Sequence, residues 1–230
     1  MVIVMEKEVR TVNPTDCEIR ATRRGRTIEG YGIVFNSESK DLGGFVEVID
    51  PKAVEGVLER QDVLALLNHD ESRGVLARCT NGEGTMELEV DKKGVKYRFE
   101  APDTPLGDEV LSSIRRGDIR ASSFSFSVNK EGQAWEKRSD GTDLRRITKF
   151  NGIYDMSPVW REAYADTSVA VRSFVEMRDE KKAKENADLE EAQRVKPPAE
   201  TTDVPIANPE VKPEDLTEYF KSIDEQIKKM

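Results

Sequence analysis

The sequence predicts a mostly β domain with a few helices (α+β), followed by a helical and flexible C-terminal tail. Three observations predict this. From Asp16 to Val175 short stretches alternate apolar and polar residues between clusters of Gly, Asn and Asp, which is the pattern of half-buried strands joined by turns. One of them, "ASSFSFSV" (Ala121 to Val128), sets Phe124, Phe126 and Val128 on one face and Ser123, Ser125 and Ser127 on the other. After Phe174 the composition changes to charged residues and alanine, and then to a proline-rich stretch.

Taken in order, residues 1–15 form an N-terminal arm and residues 16–175 the β domain. "CEIRATRRGRTIEGYGIVFN" reads as a hairpin turning at "RRGR", and "GGFVEVI" as a further strand. "DPKAVEGVLER" predicts a helix capped by Asp50, with Pro51 in its first turn and Val54, Val57 and Leu58 at helical spacing. "DVLALLNHD" is a buried strand that delivers Asn68, His69 and Asp70 at its end. "GVLARC" follows, and then the period-two hairpin "TMELEVDKKGVKYRFEAP". "TPLGDEVLSSIRRGD" predicts a second helix, started by Thr104 and Pro105 and stopped at Gly117. After the serine-rich strand come a hairpin around "SDGT", the strand "NGIYDMSPVW", and an extended "AYADTSVAVRS". Residues 176–196 are a charged spacer without an apolar stripe, and 197–212 a proline-rich linker. In 213–230 Leu216, Phe220, Ile223 and Ile227 make one amphipathic helical stripe.

The chain has 230 residues, 35% of them charged and 37% hydrophobic, with a net charge of −9. That balance argues against nucleic acid as the main partner, because phosphate binding needs a basic surface. The start "MVIVMEKEVR" has neither a basic leader nor a small-residue cleavage site, and no run approaches the ~20 apolar residues of a membrane span. Cys17 and Cys79 stand far apart and in no metal-ligand spacing, which fits a thiol-keeping compartment, with a single disulfide as the alternative. The expectation is a soluble cytoplasmic protein without metal or cofactor.

His69 is the only histidine, so imidazole chemistry must run through it, and zinc sites built on several histidines are excluded. A serine hydroxyl needs an adjacent base to become a nucleophile, and His69 is the one imidazole on offer. The G-x-S-x-G elbow and the G-x-x-x-x-G-K phosphate loop are absent, and no S-x-x-K surrounds these serines. The residues alone leave a Ser–His pair and a purely structural polar strand face both open.

Four segments, in this order, resemble the prohead (procapsid maturation) serine proteases of tailed bacteriophages, a family related in fold to herpesvirus assemblin. "GYGIVFNSES" with "FVEVIDPKAVEGVL" is similar to the family's opening strand and strand-to-helix step. "DVLALLNHDES" resembles the segment that ends on the catalytic histidine, "IRASSFSF" the "m-S-f-G-F" segment of the nucleophile, and "IYDMSPV" the "l-x-E-V-S-x-V" strand. The resemblance spans Ile28 to Val171. It implies a closed or partly open, assemblin-like β-barrel, with Ser123 as nucleophile, His69 as general base and Asp155 as the acid that orients the imidazole. Ser122 and Ser125 are the fallback nucleophiles. Arg161 is the candidate oxyanion partner, by its nearness in sequence to Asp155. Two departures stand out: Ser125 replaces the family's Gly, and Asp155 its commoner Glu.

The implied activity is a serine endopeptidase that cleaves scaffold, major capsid protein and itself inside the assembling procapsid in the host cytoplasm. The implied partners are those proteins and a second copy of the chain, without nucleic acid or membrane. Two other readings remain: a non-enzymatic capsid-assembly binding module, and a serine hydrolase of another substrate class, such as an esterase.

Overall fold

The computed structural model describes residues 6–160 and 168–194. The chain divides into two units, Met1–Lys184 and Glu185–Met230, and the whole β structure lies in the first. The strands are β1 (Glu8–Thr11), β2 (Arg20–Ala21), β3 (Thr27–Val34), β4 (Phe45–Ile49), β5 (Asp62–Ala65), β6 (Ala77–Thr80), β7 (Glu83–Gly84), β8 (Met86–Val90), β9 (Gly94–Glu100), β10 (Ala121–Ser127), β11 (Gln133–Lys137), β12 (Asp143–Ile147) and β13 (Gly152–Val159). The helices are the single turn α1 (Pro14–Cys17), α2 (Pro105–Arg116) and α3 (Ser168–Arg194). The protein is thus mostly β with a few helices.

The strands form three sheets, in the orders β1-β10-β13-β5-β6-β7, β2-β3-β9-β8 and β11-β12-β4. Each sheet has two ends, so none of them closes into a barrel by itself. The pairs β13–β5 and β12–β4 are parallel; the other strand pairs are antiparallel.

The apolar face of β10 builds the core. Phe124 and Phe126 stack with centroids 5.0 Å apart, and Phe150 meets Phe126 edge-on at 5.1 Å. Ile28 and Ile33 of β3, Val95, Tyr97 and Phe99 of β9, and Ile153 and Met156 of β13 complete it. Burying an aliphatic or aromatic side chain of this size stabilises by about 1.5–3 kcal/mol, so the alternation in "SSFSFSV" fixes which way the strand faces.

Helix α2 forms where expected. Thr104 Oγ1 accepts from the Gly107 amide at 3.3 Å, and Gly117 adopts φ +80°, its N–H returning to the carbonyls of Ile114 and Ser113. The expected helix after Asp50 is different. It is two 3-10 turns, Pro51–Val54 and Leu58–Arg60, because Glu55 is extended and Gly56 takes φ +66° between them. From Ser168 the segment expected to be extended is helical, as the start of α3. Phe174 anchors α3 on Phe45 and Trp135, at centroid distances of 5.2 and 5.4 Å. From Arg178 to Lys184 every residue of α3 is exposed, in keeping with a charged segment without an apolar stripe.

The N-terminal arm holds the strand β1, which sequence reading missed. Cys17 and Cys79 are buried free thiols. Among the described residues no helix is long and apolar enough to cross a membrane. The linker at 197–212 and the amphipathic stripe at 213–230 lie outside the described residues, as does Arg161.

Candidate active site

The site is built on the face of the six-stranded sheet opposite the phenylalanines. Ser123 faces Ser157 across β10 and β13, and Ser125 faces Asp155, so alternation puts all four side chains on one face. Next to β13 runs β5, in parallel, with Leu64 opposite Asp155. His69 follows β5 by four residues, which brings the imidazole to the carboxylate. The Nδ1–H of His69 donates to Asp155 Oδ1 at 2.5 Å.

The turn that carries the ring is unusual. Asn68 and His69 are consecutive non-glycine residues in the left-handed region, at φ +56° and +60°. Such a conformation costs free energy and persists where the surroundings hold it. Here the Asn68 amide donates to the Pro158 carbonyl at 3.1 Å, and the Trp160 amide donates to Asn68 Oδ1 at 3.1 Å. The turn is therefore tied to the strand that bears Asp155 and to the residue that follows it. Asp70 is engaged elsewhere, accepting from the amide and hydroxyl of Ser72 at 3.0 and 2.6 Å.

Asp155 is buried and accepts three hydrogen bonds. His69 and Ser157 (2.6 Å) donate to Oδ1, and Ser125 donates to Oδ2. Burial pushes its acidity down, but the donors from His69, Ser125 and Ser157 outweigh this and hold the carboxyl below its ordinary value. The group is thus an anion at neutral pH. It fixes the neutral imidazole as the Nδ1–H tautomer and leaves a lone pair on Nε2. That Nε2 is buried and has no hydrogen-bond partner among the described residues, the condition of a nitrogen able to take a proton.

The structure brings together His69 and Asp155, but it does not place a serine hydroxyl on Nε2. Ser123 is fully buried, and its Oγ donates to the Arg10 carbonyl of β1 at 2.9 Å. The serine face is covered, and all seven residues of β10 are buried. Of the fallback nucleophiles, Ser122 points to the opposite face, where it meets Tyr97 Oη at 2.7 Å and Cys17 Sγ at 3.3 Å. Ser125 gives its proton to Asp155. Sequence reading places Asn68 at the strand end but not in this anchoring role, and it misses Ser157 and the Arg10 carbonyl. Ser157 was accessible to it, because two residues along a strand is one face.

A family model described as caudovirus prohead serine protease matches residues 15–182. No curated protein matches. Among solved structures the chain is similar to the bacteriophage T4 capsid assembly protease, gp21, at 13% identity and a TM-score of 0.41, over 69% of this chain and 99% of that one.

Proposed function

Given that the chain belongs to the caudovirus prohead serine protease family, over more than half its length, we propose that it is a serine endopeptidase of capsid maturation. It cleaves scaffold and major capsid protein, and itself, inside the assembling procapsid. The observation that carries the reading is the imidazole of His69, anchored through Nδ1 on a buried anionic carboxylate with Nε2 left unpartnered.

In this mechanism the Ser123 hydroxyl leaves the Arg10 carbonyl and turns to His69 Nε2. Nε2 takes the proton as Oγ attacks the scissile carbonyl carbon. Asp155 stays ionised and stabilises the imidazolium through Nδ1–H. The tetrahedral oxyanion takes donors from backbone amides and from Arg161. Collapse expels the amine, which takes the proton from Nε2. Water then repeats the sequence on the acyl-enzyme, with His69 again as base. Because Ser123 is covered in the resting chain, β1 or a neighbouring segment shifts before a peptide can reach Oγ. The amphipathic stripe at 213–230 serves as a docking element for capsid or scaffold protein.

The same covering favours a second reading, a binding module whose serines only knit the strands together. Co-expression with the capsid and scaffold proteins, read by mass spectrometry, separates the two. Wild-type chain yields processed products, and Ser123→Ala and His69→Ala each lose them, since removing either member of such a pair costs about a millionfold in turnover. Undiminished products from Ser123→Ala would remove Ser123 as the nucleophile; no products from wild type would favour the module.

A further inference from the structure

We propose that Ser125 is the positioning residue of Asp155: its hydroxyl sets the plane of the carboxylate that holds His69. The proposal rests on the protease reading for its kinetic consequence, but not for its structural one.

Ser125 and Asp155 are direct partners across β10 and β13. Side chains so placed start about 4.5–5.5 Å apart at Cβ, a span that one hydroxyl and one short carboxylate close with a single hydrogen bond. The terminal torsion of an aspartate is broad and roughly two-fold, so a neighbour at one oxygen alone leaves the plane free to swing. Oδ1 already serves two donors, His69 Nδ1 and Ser157 Oγ. Ser157 shares the oxygen that the imidazole uses, so it cannot fix the other one. Ser125 donates to Oδ2 and thereby fixes the second point of the plane. With both points set, Oδ1 is presented to Nδ1 at 2.5 Å.

The backbone supports this assignment. The β10–β13 register shifts between Ser125 and Phe126, so that Phe126 opposes Ile153 and Tyr154 is the extra residue. A bulge re-aims the side chains around it. This one turns Ile153 into the core opposite Phe126 while Asp155 stays opposite Ser125.

The test uses the full chain and two readouts. The first is the rate of capsid-protein cleavage, resolved into kcat and KM. The second is the imidazole signal of a histidine-labelled sample by NMR, which belongs to His69 alone because the chain has one histidine. Ser125→Ala should lower kcat about 100-fold, the cost of an ångström-scale misplacement, with KM unchanged. The low-field Nδ1–H signal of wild type should weaken through exchange. Ser125→Thr, which keeps the hydroxyl, should restore both. Ser125→Gly, which also removes the hydroxyl, should behave as Ser125→Ala and carries the test if Ser125→Ala does not fold. A wild-type signal and kcat in Ser125→Ala or Ser125→Gly would overturn the proposal. If wild type cleaves nothing, the protease reading falls, and the NMR comparison still decides the role of Ser125.

Discussion

Two clusters built around buried carboxylates lie on opposite faces of the six-stranded sheet, and they are built by different rules. On the core face of β1 and β10, Glu8 and Arg10 meet Glu47 of β4 and Arg145 of β12. Arg145 is fully buried and reaches Glu8 at 2.7 Å and Glu47 at 2.9 Å; Arg10 reaches the same two acids at 2.7 and 2.9 Å. Two charges of each sign cancel. The arginine planes also rest on rings, Arg10 at 5.4 Å from the centroid of Phe126 and Arg145 at 5.9 Å from that of Trp135. On the other face Asp155 is held by two hydroxyls and an imidazole. Its countercharge exists only when His69 carries a second proton. A buried charge must be compensated. In the first cluster guanidinium groups do this permanently, and in the second a movable proton does. The first arrangement suits a fastener between sheets and the second suits proton transfer.

The sharpest way to break this contrast is to remove the charge from the second cluster alone. Asp155→Asn keeps the shape but offers Nδ1 an amide in place of an anion, so the imidazole settles in the wrong tautomer. Cleavage of capsid protein should fall about ten-thousandfold, while the thermal midpoint stays near that of wild type. A large loss of stability with retained cleavage would make Asp155 a fastener too.

The opposite outcome belongs to the first cluster. Arg145→Met leaves Glu8 and Glu47 with one guanidinium between them and one net buried negative charge. Breaking a buried pair from one side costs about 3–5 kcal/mol, to be read from urea unfolding. Cleavage per folded molecule should hold within a few-fold. If turnover collapsed in molecules shown to be folded, the two faces would be coupled through β10, and the division of labour would fail.

The two clusters also differ in how far they could be read from the sequence. The strands were legible because alternation is local: "SSFSFSV" states its own facing, and "DVLALLNHD" announces polar groups at the end of a buried strand. His69 and Asp155 are 86 residues apart, yet they stood out as a lone histidine and as an acid in a segment resembling a known one. Glu8, Arg10, Glu47 and Arg145 did not. In a chain that is 35% charged, four charged residues look like surface, and only non-local pairing buries them. The same blindness hid β1, since "KEVRTV" is too short to signal a strand without its partner, and with it the covering of Ser123. The helix expected after Asp50 failed for a local reason: Gly56 was visible, but its φ of +66° was not.

The smallest expected effect concerns acid, where both clusters should respond with the same sign. Burial tends to raise the carboxyl of Glu8, but Arg145 and Arg10 hold it below its ordinary value; His69, Ser125 and Ser157 do so for Asp155. A carboxyl depressed in the folded state stabilises it above the unfolded value, about 4.3 for Glu and 3.9 for Asp. That stabilisation drains away as pH falls through the lower folded value. The urea midpoint of wild type should therefore drop on acidification below about pH 4. In Glu8→Gln the drop should be shallower, because one proton fewer is taken up on unfolding's acid side, even though the variant starts from a lower midpoint at neutral pH. Asp155→Asn should flatten the same limb from a modestly lower start. The comparison turns on those starting points: if Glu8→Gln began as stable as wild type at neutral pH, the arginines would not be the source of its depression, and the first cluster would lose its claim to be a charge-balanced fastener.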